Sequence, residues 1–313
     1  MKIANILLAL LVLCMGLSAL GESQWFLDLF SHFMLQYAVL ALLLAIFYRV
    51  KKQKNNTYIA LIAFIYACIM LANVVDRRAP MVKIPKESER VRIFEFNTSG
   101  NVEVLKNWLP VHAGEFDVVV LLEAGLHFEP LLEQLKSQYP YQATHLENSP
   151  FGMAVLSRWE ITENKSFESE GGSFQQYELK IKRPVGDEFL LYALHAPPPF
   201  APQLANAHEA ILGELSEKIH DKQFPAIVVG DLNTTPTSHR FLKLVKNTGL
   251  RDTAGISPWA NTWPALSVNL FSLLGIRIDH CLVSNSFSIV ERERLTDLGS
   301  DHLPIKCVLQ VEK

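Results

Sequence analysis

The sequence predicts an α/β domain carried behind three membrane-spanning helices. Three observations support that reading. Residues 3–20, 31–48 and 58–75 contain no Asp, Glu, Lys or Arg, and each run is close to the ~20 residues that cross a bilayer. Beyond residue 90, short Val/Ile/Leu runs alternate with stretches of helical spacing, the pattern of strands and helices in turn. Several of those short runs end on a polar residue, as in α/β enzymes whose site lies along one sheet edge.

Charge divides at the same place. Residues 1–85 carry eight Lys/Arg against three Asp/Glu, or +5, and residues 86–313 carry 21 against 29, or −8. An acidic region argues against a long nucleic-acid groove, because binding many phosphates needs many cations. The predicted organisation is an anchor over residues 1–76, a linker over 77–90 with Pro80 and Pro85, and a soluble domain over 91–313. Arg49, Lys51, Lys52 and Lys54 lie between the second and third runs, which places that loop in the cytoplasm by the positive-inside rule. The loop over 21–30 carries Glu22 and Asp28 but no Lys or Arg, so it faces out. The chain then leaves the third run on the outer side, close to the membrane surface. The first run also reads as a cleaved signal, with the same orientation for the rest. No run holds an ionisable Asp, Glu, Lys or Arg of the kind that marks a transport pathway.

In the soluble domain, residues 91–96 alternate apolar and charged side chains and predict a strand ended by Asn97. Val102, Leu105 and Leu109 have helical spacing. Residues 117–122 predict a buried strand with Glu123 at its end, where a carboxylate is costly unless solvated, paired or bound to metal. A helix over 127–138 and a strand over 152–156 follow. Residues 177–181 and 189–194 predict a hairpin, and His195 stands between its second strand and Pro197-Pro198-Pro199. A helix over 202–220 leads into a strand over 226–229, after which Gly230, Asp231 and Asn233 stand together. Side chains two apart in an extended segment point the same way, so Asp231 and Asn233 would project side by side. The same residues also read as an Asx-type turn before Pro236. Ser238 is an expected N-cap for a helix over 238–246. Thr262-Trp263-Pro264 falls in a long loop. A strand over 277–283 carries Arg277 and Asp279, and Asp301 and His302 precede a last strand over 304–309. Cys14, Cys68, Cys281 and Cys307 show no metal-ligand spacing. They read as buried thiols, with a Cys281–Cys307 bridge the alternative in an extracytoplasmic domain.

The order Asn97, Glu123, His195, Asp231/Asn233, Asp279, Asp301/His302 resembles the endonuclease/exonuclease/phosphatase family, the DNase I-like phosphoesterases. Gly230-Asp231-Leu232-Asn233 and Ser300-Asp301-His302-Leu303-Pro304 carry the resemblance most strongly, over about residues 90–312. Three apolar runs with Arg277-Ile278-Asp279-His280 and Thr262-Trp263-Pro264 are similar to its bacterial membrane-anchored branch. The resemblance implies a four-layer α/β sandwich, DNase I-like, and hydrolysis of a phosphate ester with Mg²⁺ or Mn²⁺. It implies Glu123 as main metal ligand, with Asn97 beside it and Asp301 in support. Asp231 would orient or deprotonate water, and Asn233 would donate hydrogen bonds to the phosphoryl group. His302, oriented by Asp279, would contact the phosphate or protonate the leaving group, and His195 would be the second histidine on the phosphate. Arg277, Trp263 and Phe200 are candidate pocket residues. Two departures stand out: Leu122 occupies a position where many members carry Gln, and Thr98-Ser99-Gly100-Asn101 lacks an acid that some members use. The implied partners are a phosphate-ester substrate (nucleic acid, phospholipid headgroup or small phosphodiester) and the bilayer. The implied location is the bacterial inner membrane, with the catalytic domain on the periplasmic side. A non-catalytic binding or sensing module, or a membrane scaffold, is the alternative; neither needs Glu123, Asp231 and His302 together.

Overall fold

The apolar N-terminal runs fold as helices α1 (Lys2–Ser18), α2 (Trp25–Asp28), α3 (Met34–Val50) and α4 (Lys54–Val75). The computed structural model describes residues 1–82, 86–168, 174–220, 224–265 and 274–312. Residues 83–85 of the predicted linker lie outside the described residues. The chain divides into two compact units, Met1–Arg77 with Thr234–Lys243, and Arg78–Asn233 with Leu244–Lys313.

In the first unit, a 3-10 turn fuses α2 to α3, so the second apolar helix runs Trp25–Val50, 26 residues, and α4 has 22. The third expected span is corrected here. α1 has 17 residues and rises only about 25 Å at 1.5 Å per residue, short of a ~30 Å hydrocarbon core. α1 ends at Ser18, whose hydroxyl donates to the Met15 carbonyl, and the chain continues in turns through Leu20 and Ser23. Among the described residues two helices, not three, are long and apolar enough to cross a bilayer. Small residues (Ala38, Ala41, Ala45, Ala60, Ala63, Ala67) are buried between helices, while Ile3, Leu43, Ile46 and Ile62 are exposed. Close approach through small residues is how apolar helices associate when lipid removes the hydrophobic drive. Thr234–Lys243 belongs to this unit: the Thr237 hydroxyl donates to the Ser31 carbonyl, and the His239 N–H to the buried Asp28 carboxylate.

The second unit is built on two six-stranded sheets. One holds β1 (Arg90–Asn97), β2 (Val118–Leu122), β3 (Tyr141–His145), β4 (Met153–Ser157), β11 (Phe287–Arg294) and β12 (Ile305–Val311), in the order β11-β12-β1-β2-β4-β3. The other holds β5 (Glu160–Glu168), β6 (Gln175–Lys182), β7 (Glu188–His195), β8 (Ala226–Asp231), β9 (Arg251–Asp252) and β10 (Asp279–Val283), in the order β5-β6-β7-β8-β10-β9. Val91, Ile93, Val118, Val120, Leu179, Leu191, Ile227, Val229, Ile305 and Leu309 face one another between the sheets. The opposite faces of β1 and β2 bury Phe94, Phe96, Val119 and Leu121 under α5 (Leu105–His112) and α6 (Glu129–Leu135). With both faces covered, the strands read as continuous apolar runs. The alternation expected over 91–96 is therefore corrected: its phase breaks at Phe94, and Glu95, on the face of Val91 and Ile93, is wholly buried.

Register places the site. β1/β2 and β7/β8 pair in parallel, so Asn97, Glu123, His195 and Asp231 all fall at strand C-terminal ends. β10 and β12 run antiparallel to β8 and β1, which returns Asp279 and His302 to the same end. His195, Asp231 and Asp279 are direct neighbours in one row across the second sheet. α7 (Pro202–His220) connects β7 to β8, and α8 (His239–Thr248) begins as expected at Ser238, whose Oγ accepts the Phe241 N–H.

Candidate active site

Gly230 sits at φ +139°, and a Cβ there would lie 1.9 Å from the Leu194 carbonyl oxygen. Only glycine lets β8 pass this close to β7 and deliver Asp231. The strand ends there. Asn233 adopts φ 46° and Glu123 φ 54°, the left-handed region that costs a residue with a side chain on the order of 1 kcal/mol. Asn233 is turned back, with its N–H on Asp231 Oδ1 at 2.7 Å and its Nδ2 on the Ala196 carbonyl at 2.9 Å. Both local readings of this stretch hold together: an Asx turn, not strand alternation, sets the two side chains side by side, with Nδ2 also 3.3 Å from Asp231 Oδ2.

Asn97 joins the two sheets. Its Nδ2 lies 3.1 Å from Glu123 Oε1 and 3.1 Å from Asp231 Oδ2. His302 Nδ1 meets both oxygens of Asp279, at 3.1 and 3.0 Å, and its Nε2 stands 3.8 Å from Asp231 Oδ2. His195 Nε2 is 3.8 Å from the same oxygen and 3.9 Å from Glu123 Oε1. Asp231 is thus the hub on which Asn97, Asn233, His195 and His302 converge. Asp301 stands aside, its carboxylate taken by the Ser99 hydroxyl and by the Trp263 indole N–H at 3.0 Å.

Electrostatics separates these groups. Burial alone would lower His302, but the charge and hydrogen bond of Asp279, then Asp231 and Asp301, lift it to about 10. Burial would raise Asp279, but the imidazolium beside it holds the carboxyl below its usual range. Asp231 is pushed up to about 8 by burial and by Asp279, against the pull of His302, Asn233 and Asn97. Burial, then His302, takes His195 down to about 4, so it is neutral at pH 7. Glu123 is raised by burial, with Asn97 and His302 opposing. Glu95 is raised well above normal by burial, then by Asp279 and Asp231. Its two oxygens have no hydrogen-bond partner among the described residues, which favours the protonated acid.

Four carboxyl groups (Glu123, Asp231, Asp279, Asp301) therefore share this end of the sheets with one imidazolium. An oxygen-rich donor set with excess negative charge suits a hard divalent cation. Asp231, Asp279 and His302 each offer a ligand atom within 4.8 Å of the others, but His302 Nδ1 is already engaged by Asp279. Glu123 adds a half-buried carboxylate at the same strand ends, while Asn97 turns its Nδ2 to Glu123 and Asp231 and its Oδ1 to the Ser99 N–H at 3.1 Å.

One candidate pocket residue, Arg277, stands differently from expectation. Arg277 is 4% exposed. Its guanidinium is held by Asp252 at 2.8 and 2.5 Å and by the Gly255 carbonyl at 3.1 Å, so it braces the domain interior instead of lining the site. Phe200 is exposed, and its N–H returns to the Pro198 carbonyl. Sequence reasoning also missed supporting groups. The buried Gln176 side chain clamps the His195 backbone, accepting its N–H at 2.7 Å and donating to its carbonyl at 3.1 Å. Ser300 Oγ donates to the Asn97 carbonyl and accepts the His302 N–H. Thr262 Oγ1 lies 3.3 Å from the Asp279 N–H. Gln176 had one usable signal, a polar residue beside an apolar hairpin strand; its partner is set by tertiary pairing alone.

The family described as Endonuclease/Exonuclease/phosphatase matches over residues 95–302, a span that contains all of these site residues. No curated protein matches the chain. Among solved structures, an endonuclease/exonuclease/phosphatase from Beutenbergia cavernae superposes with TM-score 0.60 at 21% identity, covering 72% of each chain. A mannosyl-6-phosphatase from Bacteroides thetaiotaomicron gives TM-score 0.52 at 20% identity, over 70% of this chain and 99% of that one. A truncated Caenorhabditis elegans TDP2 gives TM-score 0.52 at 15% identity, over 71% and 98%. At these identities the likeness is one of fold.

Proposed function

Because the chain belongs to the endonuclease/exonuclease/phosphatase family, we propose that it is a membrane-anchored phosphoesterase that hydrolyses a phosphodiester or phosphomonoester by in-line attack of water, with Mg²⁺ or Mn²⁺. The observation that carries this reading is the convergence on Asp231 of a carboxylate-bound imidazolium, a second histidine and two carboxamides. Asp231 takes a proton from the attacking water, and a pKa near the working pH suits a base that must also hand the proton on. Asn233 and Asn97 fix the orientation of its carboxylate. His302, held protonated by Asp279, gives its proton to the departing oxygen as the phosphorus–oxygen bond breaks. Neutral His195 presents an N–H to a phosphoryl oxygen. Glu123 and Asn97 would hold the cation, with Asp301 in support, and when bound it would supply positive charge to the phosphoryl oxygens. Trp263, on Asp301, borders the substrate.

Residues 1–76 serve as the anchor, 77–90 as the linker and 91–313 as the catalytic domain. The outward-facing apolar side chains of α3 and α4 support insertion in a bilayer. The four cations over 49–54 support a cytoplasmic loop and hence a catalytic domain on the outer side of the bacterial inner membrane. The test is hydrolysis of bis-(p-nitrophenyl) phosphate by the full chain in detergent. Activity with Mg²⁺ or Mn²⁺ is expected to vanish with EDTA, with Asp231→Ala and with His302→Ala. Activity that survives all three sinks the assignment.

A further inference from the structure

Two thiols that the proposed chemistry does not use meet in the core between the sheets. Cys281 lies on β10 in one sheet and Cys307 on β12 in the other. Both belong to the cluster that packs the sheets together, both are at most 1% exposed, and their Sγ atoms are 3.0 Å apart. Non-bonded sulfurs do not ordinarily pack so closely. Their strands also carry the catalytic groups. Cys281 follows Asp279 by two residues on the same face of β10, and Cys307 is in the strand that His302 leads into. They are 26 positions apart, and the chain between them leaves one sheet, forms β11 and returns through Asp301 and His302 to the other.

We propose that Cys281 and Cys307 are joined by a disulfide that staples the two sheets beneath the Asp279–His302 pair. The reaction is an exchange with a disulfide oxidant, either a dithiol–disulfide carrier protein or oxidised glutathione. One cysteine thiolate attacks the oxidant and releases its first thiol. The second cysteine attacks the resulting mixed disulfide and releases the other thiol. Two cysteine thiols and one oxidant disulfide thus become one protein disulfide and two oxidant thiols. Burial pushes the Cys281 thiol well above its ordinary value, and the thiolate is the species that exchanges. The bond therefore forms before the sheets close over it, and the folded protein shields it from reductant. An oxidising compartment supplies the oxidant, as the proposed outer placement provides; the hydrolytic reading itself is not required.

The test is thiol mapping of the full chain purified from membranes, acid-quenched, denatured and alkylated without reductant. Cys14 and Cys68, on α1 and α4, serve as internal controls and take up the label. The expected result is a linked peptide joining residues 281 and 307, which appears unlabelled at both and is lost in Cys281→Ser. Dithiothreitol is expected to open the link only after denaturation, and its presence during melting to lower the apparent Tm by roughly 5–10 °C. Alkylation of all four cysteines in the unreduced sample overturns the proposal. Linkage that forms only after treatment with diamide, a diazene that takes up the two thiol hydrogens, overturns the native bond and leaves only the contact. Because activity is measured separately, hydrolysis with free thiols, or a bridge without hydrolysis, tells the two proposals apart.

Discussion

Replacing Asp279 with Asn tests whether the carboxylate works through the charge of His302 or only through its position. The change keeps the shape of the side chain and removes its negative charge. In the native site His302 is lifted from 6.5 to about 10, so it stays protonated from pH 6 to pH 9. Asp279 is the largest lifting influence, and burial pulls the other way. Without Asp279, burial is opposed only by Asp231 and Asp301, and His302 falls toward its ordinary value. At that value about a quarter of molecules keep the proton at pH 7 and about 3% at pH 8. The loss of kcat is then roughly fourfold at pH 7 and thirtyfold at pH 8, growing about tenfold per unit above that. The assay is kcat against pH for the metal-loaded wild type and Asp279→Asn, with a substrate whose leaving group needs a proton. A loss of equal size at all pH values would show that Asp279 only positions His302, and would refute the charge argument.

Other outcomes follow from the same geometry. Asn233→Ala keeps the backbone N–H on Asp231 Oδ1 but removes the Nδ2 contact with Oδ2, and is expected to lower kcat about tenfold with little change in KM; steady-state kinetics reads this. Gly230→Ala places a methyl group against the Leu194 carbonyl and is expected to cost about 2–4 kcal/mol, seen as a fall in Tm or as failure to accumulate. Burial would raise Asp252, but Arg277 holds it at about 2, below its ordinary 3.8. A carboxyl depressed on folding stabilises the protein above its ordinary pKa, so about 2–3 kcal/mol should be lost as pH falls from about 4 to about 2. Asp252→Asn should flatten that part of the stability–pH curve.

The strands legible in the sequence were those inside the sheets. β1, β2, β4, β6, β7, β8, β10 and β12 are covered on both sides, and their runs are dense in Val, Ile and Leu. β3, β5, β9 and β11 went unread, and these are the four sheet edges. Their sequences, such as Glu160–Glu168 and the polar second half of Phe287–Arg294, carry the charges that keep an open edge from pairing with another chain. Such segments look like loops until the sheet supplies a neighbour. The site divides likewise. Residues at strand ends, Asn97, Glu123, His195, Asp231 and Asp279, were legible because a polar group after an apolar run is a local signal. Gln176, Thr262 and Ser300 act through partners far along the chain, and Arg277 resembled a pocket residue because nothing local announced Asp252. Glu95 shares the face of Val91 and Ile93 between the sheets, and a charged residue there has no local signal of burial.

The most direct test of the account is the fate of solvent oxygen. Hydrolysis of a phosphate ester is run in heavy-oxygen water with the metal-loaded full chain, and both products are examined by mass spectrometry. Attack on phosphorus by a water held at Asp231 predicts one heavy oxygen in the phosphate product and none in the released alcohol. Heavy oxygen in the alcohol, or no product under any metal condition, would contradict it.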